Sequence, residues 1–364
     1  MDQPTHIIDP DGEVTIILSN ANAPFAPEAS VTEKASEVSV ENESSEFTMS
    51  EIFGDDKKDK DLTKPRFCIQ VSAKHLTIAS PVFKKLLTGL WKESVTFLQK
   101  GSVEITTESW DVEAFLILLR IMHCQFSQMP RKLTVEMLAK VAVIADYYDC
   151  KDVTRFFADV WIEAFEEKFP TTYSRELILW LWISWAFQYE KRFKMITSTA
   201  MSHSNGEINS LGLPIPGRVI GKTGPSSSFI TDQSLTNFFL PELMNRGRQE
   251  AIENIFNLLH EKHEALLDGK LGCRFECSSI MYGALTKQMK STALLSPRLF
   301  RPFHGLNYNQ LVQKIRSFTS PEWYSQQSYY NKYVRHSCNN SSFESLLGKM
   351  DDSVNGLVLL DFIS

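Results

Sequence analysis

Cys273-x3-Cys277 and His336-x-Cys338 form the grouping in this 364-residue chain whose residue types suit a metal ion. Thiolate sulfur and imidazole nitrogen are ligands that zinc accepts. The spacing is looser than that of most Cys-x2-Cys knuckles. Cys273 and Cys277, four residues apart, also share one face of a helix, where a hydrophobic core accommodates them as readily as a metal does. The set is therefore read as core packing, with structural zinc as the alternative, and no metal, cofactor or catalytic residue is expected. A metal-dependent enzyme built on the same four residues would need an open coordination position.

Other candidate chemistry is weaker. Gly217-Arg-Val-Ile-Gly-Lys-Thr223 places three residues between its glycines where a phosphate loop needs four, and Pro225-Ser-Ser-Ser follows where a helix should start. His260 and His263, with Glu261 and Glu264, miss the His-Glu-x-x-His spacing by one residue and read as a solvated helix face. None of the other histidines (His6, His75, His123, His203, His304, His336) accompanies a nucleophile elbow. Trp180, Trp182 and Trp185 cannot share one helix face, so they imply a helix buried on several sides rather than a ligand box. Basic runs such as Lys57-Lys58-Asp59-Lys60 and Lys84-Lys85 are too short for a nucleic-acid groove.

The elements that would position these residues can be read from the patterning. A chain with 43% hydrophobic and 11% aromatic residues supports one large or two ordinary domains. Its longest apolar run, 177–187, is about half the length of a membrane span. The N-terminus carries acids and prolines rather than a signal peptide, and six sparse cysteines read as reduced thiols, so an intracellular protein of cytoplasm or nucleus is expected. The net charge of -6 is local: residues 28–61 hold eleven acids against four lysines, which leaves the remainder near +1. That stretch has few large apolar residues, so 20–62 is expected to be an acidic disordered insertion.

On either side of it, 13–18 and 66–71 read as strands of one hairpin. Residues 72–90 read as two short helices, with Ser80-Pro81 as N-cap and first position of the second. A third strand at 103–106 and helices at 114–122, 136–148 and 153–165 follow. The order is strands first, then mainly helices, an α+β arrangement.

Val71-Ser-Ala-Lys-His-Leu-Thr-Ile-Ala-Ser-Pro-Val-Phe83 with Lys84-Lys-Leu-Leu-Thr-Gly89 resembles the strand-to-helix signature of the BTB/POZ domain, in the form common in filamentous-fungal proteins. Trp110-Asp-Val-Glu-Ala-Phe-Leu-Ile-Leu-Leu119 and Met137-Leu-Ala-Lys-Val-Ala-Val-Ile-Ala-Asp-Tyr-Tyr148 extend the resemblance in order, over roughly residues 6–165. Many such domains carry a histidine directly after the second strand; Ser72 stands there in this chain, and His75 occupies a position that is usually apolar. The resemblance implies a small sheet flanked by helices, used for self-association or for binding a protein partner, and no chemistry. The expected function is therefore non-enzymatic protein–protein interaction through residues 1–165, as a dimer or with a partner. A substrate adaptor of a cullin-type ubiquitin ligase is the alternative, and neither nucleic acid nor membrane is expected as a partner.

Residues 166–364 read as a helical C-terminal region, with a loop at 208–216 and a helix at 246–267. Within it, 221–241 reads as a retained intron. Gly221-Lys222 can be encoded by a fungal splice donor, and Thr236-Asn237 by a branch point. Removing the segment joins Arg218-Val219-Ile220, through a Glu formed at the junction, to Leu243 and continues one amphipathic helix. A disordered loop is the other reading of the same segment.

Overall fold

Alternation of buried and half-buried residues in Val14–Ser19 makes this segment a strand with Val14, Ile16 and Leu18 on its inner face. In the computed structural model, which describes residues 3–27, 66–165, 169–215, 240–297, 299–327 and 332–363, the chain divides into two compact units, Met1–Phe165 and Glu166–Ser364. The first is α+β and the second mainly helical.

In the first unit, β1 (His6–Ile7), β2 (Val14–Ser19), β3 (Phe67–Val71) and β4 (Val103–Glu108) form one sheet in the order β1-β3-β2-β4. Strands β2 and β3 are antiparallel, with Val14 opposite Val71 and Leu18 opposite Phe67, while β4 runs parallel to β2. The expected hairpin is thus present, and β4 joins its other edge after a helical crossover. Helices α1 (Ala73–Ala79) and α2 (Pro81–Thr88) meet at Ser80, whose hydroxyl accepts the Phe83 N–H at 3.1 Å and caps α2. Helix α3 (Lys92–Lys100) ends at Gly101, whose φ of +70° is a left-handed conformation that glycine adopts without strain as the chain turns into β4.

Helix α4 (Val112–Met122) is buried on nearly every side and forms the centre of the core, flanked by α5 (Val135–Tyr147) and α6 (Lys151–Glu163). Phe83 stacks on Tyr148 at 4.4 Å and Phe115 lies 5.8 Å from the same ring, so α2, α4 and the end of α5 share one aromatic cluster.

The start of the segment read as a disordered insertion is ordered. Asn20 and Asn22 adopt positive φ, which asparagine tolerates, and Asn22 exchanges hydrogen bonds with Trp110 and Val112. Ala26 is buried as well. Residues 28–65 lie outside the described residues, as does most of the expected intron segment, since 216–239 are not described.

In the second unit, α7 (Arg175–Ala186) carries apolar residues all round and is buried on nearly every side, and α8 (Glu190–His203) packs against it. Helix α9 (Leu240–Leu267) begins two residues inside the segment read as inserted, and Leu240 is wholly buried. Helices α10 (Phe275–Ser291) and α11 (Tyr308–Arg316) pack on α9, followed by the hairpin β5 (Tyr324–Gln327) and β6 (Lys332–Arg335) and the short helices α12 (Glu344–Leu347) and α13 (Leu360–Ile363). Buried Arg248 of α9 donates to the carbonyls of Ser204, Pro302, Phe303 and Leu306, which fastens the 299–306 loop. Asn245 does the same for Ile208 with a paired backbone contact at 2.8 and 2.9 Å.

Candidate functional site

Gly272 has a φ of +104°, and a Cβ there would stand 3.0 Å from the Ser278 amide nitrogen. Only glycine fits this turn without displacing its neighbours. The turn places Cys273 just ahead of α10, and Cys277 falls in that helix's first turn.

The second pair arrives from the β5–β6 hairpin. The backbone N–H of His336 donates to the Trp323 carbonyl at 2.8 Å, and its ring stacks on the Trp323 indole with centroids 4.4 Å apart. This contact fixes the plane of the imidazole. The turn beyond it carries Cys338 and Ser341, and the Ser341 hydroxyl lies 3.3 Å from both the Cys277 sulfur and the Cys338 carbonyl.

The ligand atoms of Cys273, Cys277, His336 and Cys338 all lie within 4.8 Å of one another, and Cys273 Sγ is 3.5 Å from His336 Nε2. Cys277 is buried, His336 and Cys338 are half-buried, and Cys273 faces solvent. Reading Cys273 as a core residue is therefore incorrect: its sulfur joins a polar cluster at the surface. The Cys338 thiol is lowered to about 7, chiefly by the Ser341 hydroxyl, helped by the Ser341 and Asn340 backbone amides and by Cys277, and opposed by desolvation. The Cys273 thiol is raised, by desolvation first and then by the adjoining Cys277 and Cys338 sulfurs. Chemically, the cluster offers three sulfurs and one nitrogen converging on a common centre.

Trp323, Asn340 and Ser341 support this cluster, and nothing in the sequence pattern singles them out. Cys338-Asn-Asn-Ser341 has turn composition, but turn composition alone does not bring a hydroxyl to a sulfur.

The remaining candidates disperse. Trp180 and Trp182 are buried in α7, while Trp185 is half-buried against Phe193 and Phe362, so the three indoles do not enclose a common space. His263 does not belong to a solvated face: it lies 2.8 Å from the Thr286 hydroxyl and 4.6 Å from the Tyr282 ring on α10. His75 stacks on His123 at 4.9 Å. Residues 217–223 lie outside the described residues. No helix is long and apolar enough to cross a membrane among the described residues.

In the first unit, apolar side chains also reach the surface. Leu90 is fully exposed, and Trp91, Val95 and Leu98 follow at helical spacing along α3, with exposures of 62%, 47% and 81%. Val153, Phe156 and Val160 form a second exposed row on α6. No protein-family model matches the chain, and no curated protein or solved structure matches it significantly.

Proposed function

We propose that this chain is a non-enzymatic protein-interaction protein acting through a BTB/POZ-like first unit, with self-association as its primary mode. The observation that carries the reading is the α3 row. Trp91, Val95 and Leu98 recur at i, i+4 and i+7, so they line one side of α3 from its N-cap onward, and exposed Leu90 precedes them in the chain. Covering a side chain of this kind contributes about 1.5–3 kcal/mol, and a tryptophan among aliphatics is the composition of an interface anchor. The order of strands and helices in this unit supports the BTB/POZ-like part of the reading, as do Ser80 capping α2 and the apolar α4.

Size-exclusion chromatography with light scattering on the full chain tests the proposal. The expected mass is twice the 41.6 kDa of one chain, and Leu98→Asp is expected to yield a monomer that keeps the wild-type far-ultraviolet circular dichroism, because Leu98 is exposed and contributes little to the core. A wild-type monomer overturns self-association. The row on α6 would then be the surface to examine for a hetero-partner, including the cullin-type scaffold of the adaptor reading.

A further inference from the structure

We propose that Cys273, Cys277, His336 and Cys338 bind one zinc ion in a closed tetrahedral site that fastens the turn carrying His336 and Cys338 to the start of α10. This inference concerns the second unit and does not depend on the function proposed for the first.

The distances fit. Zinc–sulfur bonds of about 2.3 Å and a zinc–nitrogen bond of about 2.0 Å at the tetrahedral angle put sulfur and nitrogen about 3.5 Å apart. Cys273 Sγ and His336 Nε2 stand at 3.5 Å, and the whole set is gathered within 4.8 Å. The donor types, three thiolates and a neutral imidazole, select a borderline-soft cation over calcium or magnesium. A disulfide would consume two of the three sulfurs and leave the third and the imidazole unexplained; all are free thiols here.

The surroundings are those of a built site. The Ser341 hydroxyl lies 3.3 Å from the Cys277 sulfur and from the Cys338 carbonyl, and Trp323 holds the plane of His336. Such outer contacts orient ligands and tune their basicity. Four protein ligands leave no coordination position for a substrate, so the role is structural.

The turn also needs a fastener. A two-stranded hairpin is marginal alone, and Tyr324, Tyr333 and Val334 of β5 and β6 are exposed rather than packed. Beyond the hairpin, Phe343 and Leu346 are buried, and Lys262 of α9 donates to the Ser342 carbonyl and Ser345 hydroxyl. The metal would link residues more than 60 positions apart, which limits the unfolded chain most where the closed loop is long.

The experiment is metal analysis of the full-length protein purified under reducing conditions from zinc-supplemented medium. About one zinc per chain is expected, with X-ray absorption giving three sulfurs at about 2.3 Å and one nitrogen at about 2.0 Å. Cobalt(II) exchanged into the site should show thiolate-to-cobalt charge transfer and tetrahedral d–d bands. Cys273→Ser alters an exposed side chain that adds nothing to the core, so it tests the site without unfolding the protein. It should lower zinc affinity at least about 10-fold, and Ser341→Ala should do so by about 10-fold through the outer contacts. Background zinc in the reduced wild-type protein overturns the proposal, and so does full zinc retention in both Cys273→Ser and His336→Ala.

Discussion

His123 shows how one buried side chain can make this fold sensitive to acid. Its Nε2 accepts the Ser72 backbone N–H at 3.0 Å, which assigns the ring proton to Nδ1, where it donates to the Leu119 carbonyl at 2.7 Å. Burial lowers the His123 pKa, the Leu119 carbonyl opposes that shift, and neighbouring His75 adds to the lowering. An unfolded histidine binds its proton near pH 6.5, whereas the folded one does so only at lower pH. Between those values the unfolded state holds more protons, so this contribution is complete above about pH 6.5 and is lost as the pH falls toward the folded pKa. Urea midpoints measured from about pH 7.5 to about pH 5 should therefore fall less steeply in His123→Gln than in the wild type. Arg248 is a second residue whose removal has a definite cost. Its guanidinium satisfies four carbonyls from within the protein. Arg248→Met preserves much of the side chain's bulk but leaves those acceptors without their donor, and denaturant unfolding should show a loss on the order of 3 kcal/mol.

At the scale of elements, Leu240 at the head of α9 bears on the retained-intron reading. If codons 221–241 are spliced out, the joined chain places Val219 in the register of Leu240, one apolar residue for another. Sequencing of transcripts is expected to show messages lacking these codons; retention in every message rejects the reading. Strands β2 and β3 and the helices α2, α4, α5 and α6 were legible from a clear apolar period, and α2, α4 and α5 also carry a capping residue at their start. Ser80, Asp111 and Thr134 each accept the N–H three residues on. Strand β1 was not legible, since two residues, His6 and Ile7, carry no period at all. Helix α3 was missed because its apolar residues face outward, which makes Lys92–Lys100 look like a polar loop with scattered hydrophobics. The thiol–imidazole set was visible as residue types. Its convergence was not, because the hairpin that delivers His336 and Cys338 is polar and its pairing with β5 leaves no mark in hydrophobic patterning.

For the molecule as a whole, the acidity resides in the stretch between β2 and β3, which leaves the rest of the chain close to neutral. Neutral surface with exposed apolar rows suits contact with protein better than with polyanions. The pairing of Leu18 with Phe67 has a further meaning for anyone wishing to label this protein. The two strands that bracket the acidic stretch are neighbours in the sheet, so the sheet requires only that the chain depart and return at adjacent strand ends. By loop-closure entropy, doubling the number of residues between such ends costs about 0.6 kcal/mol. An epitope or a fluorescent reporter inserted between these strands is therefore expected to leave β2 and β3 in register.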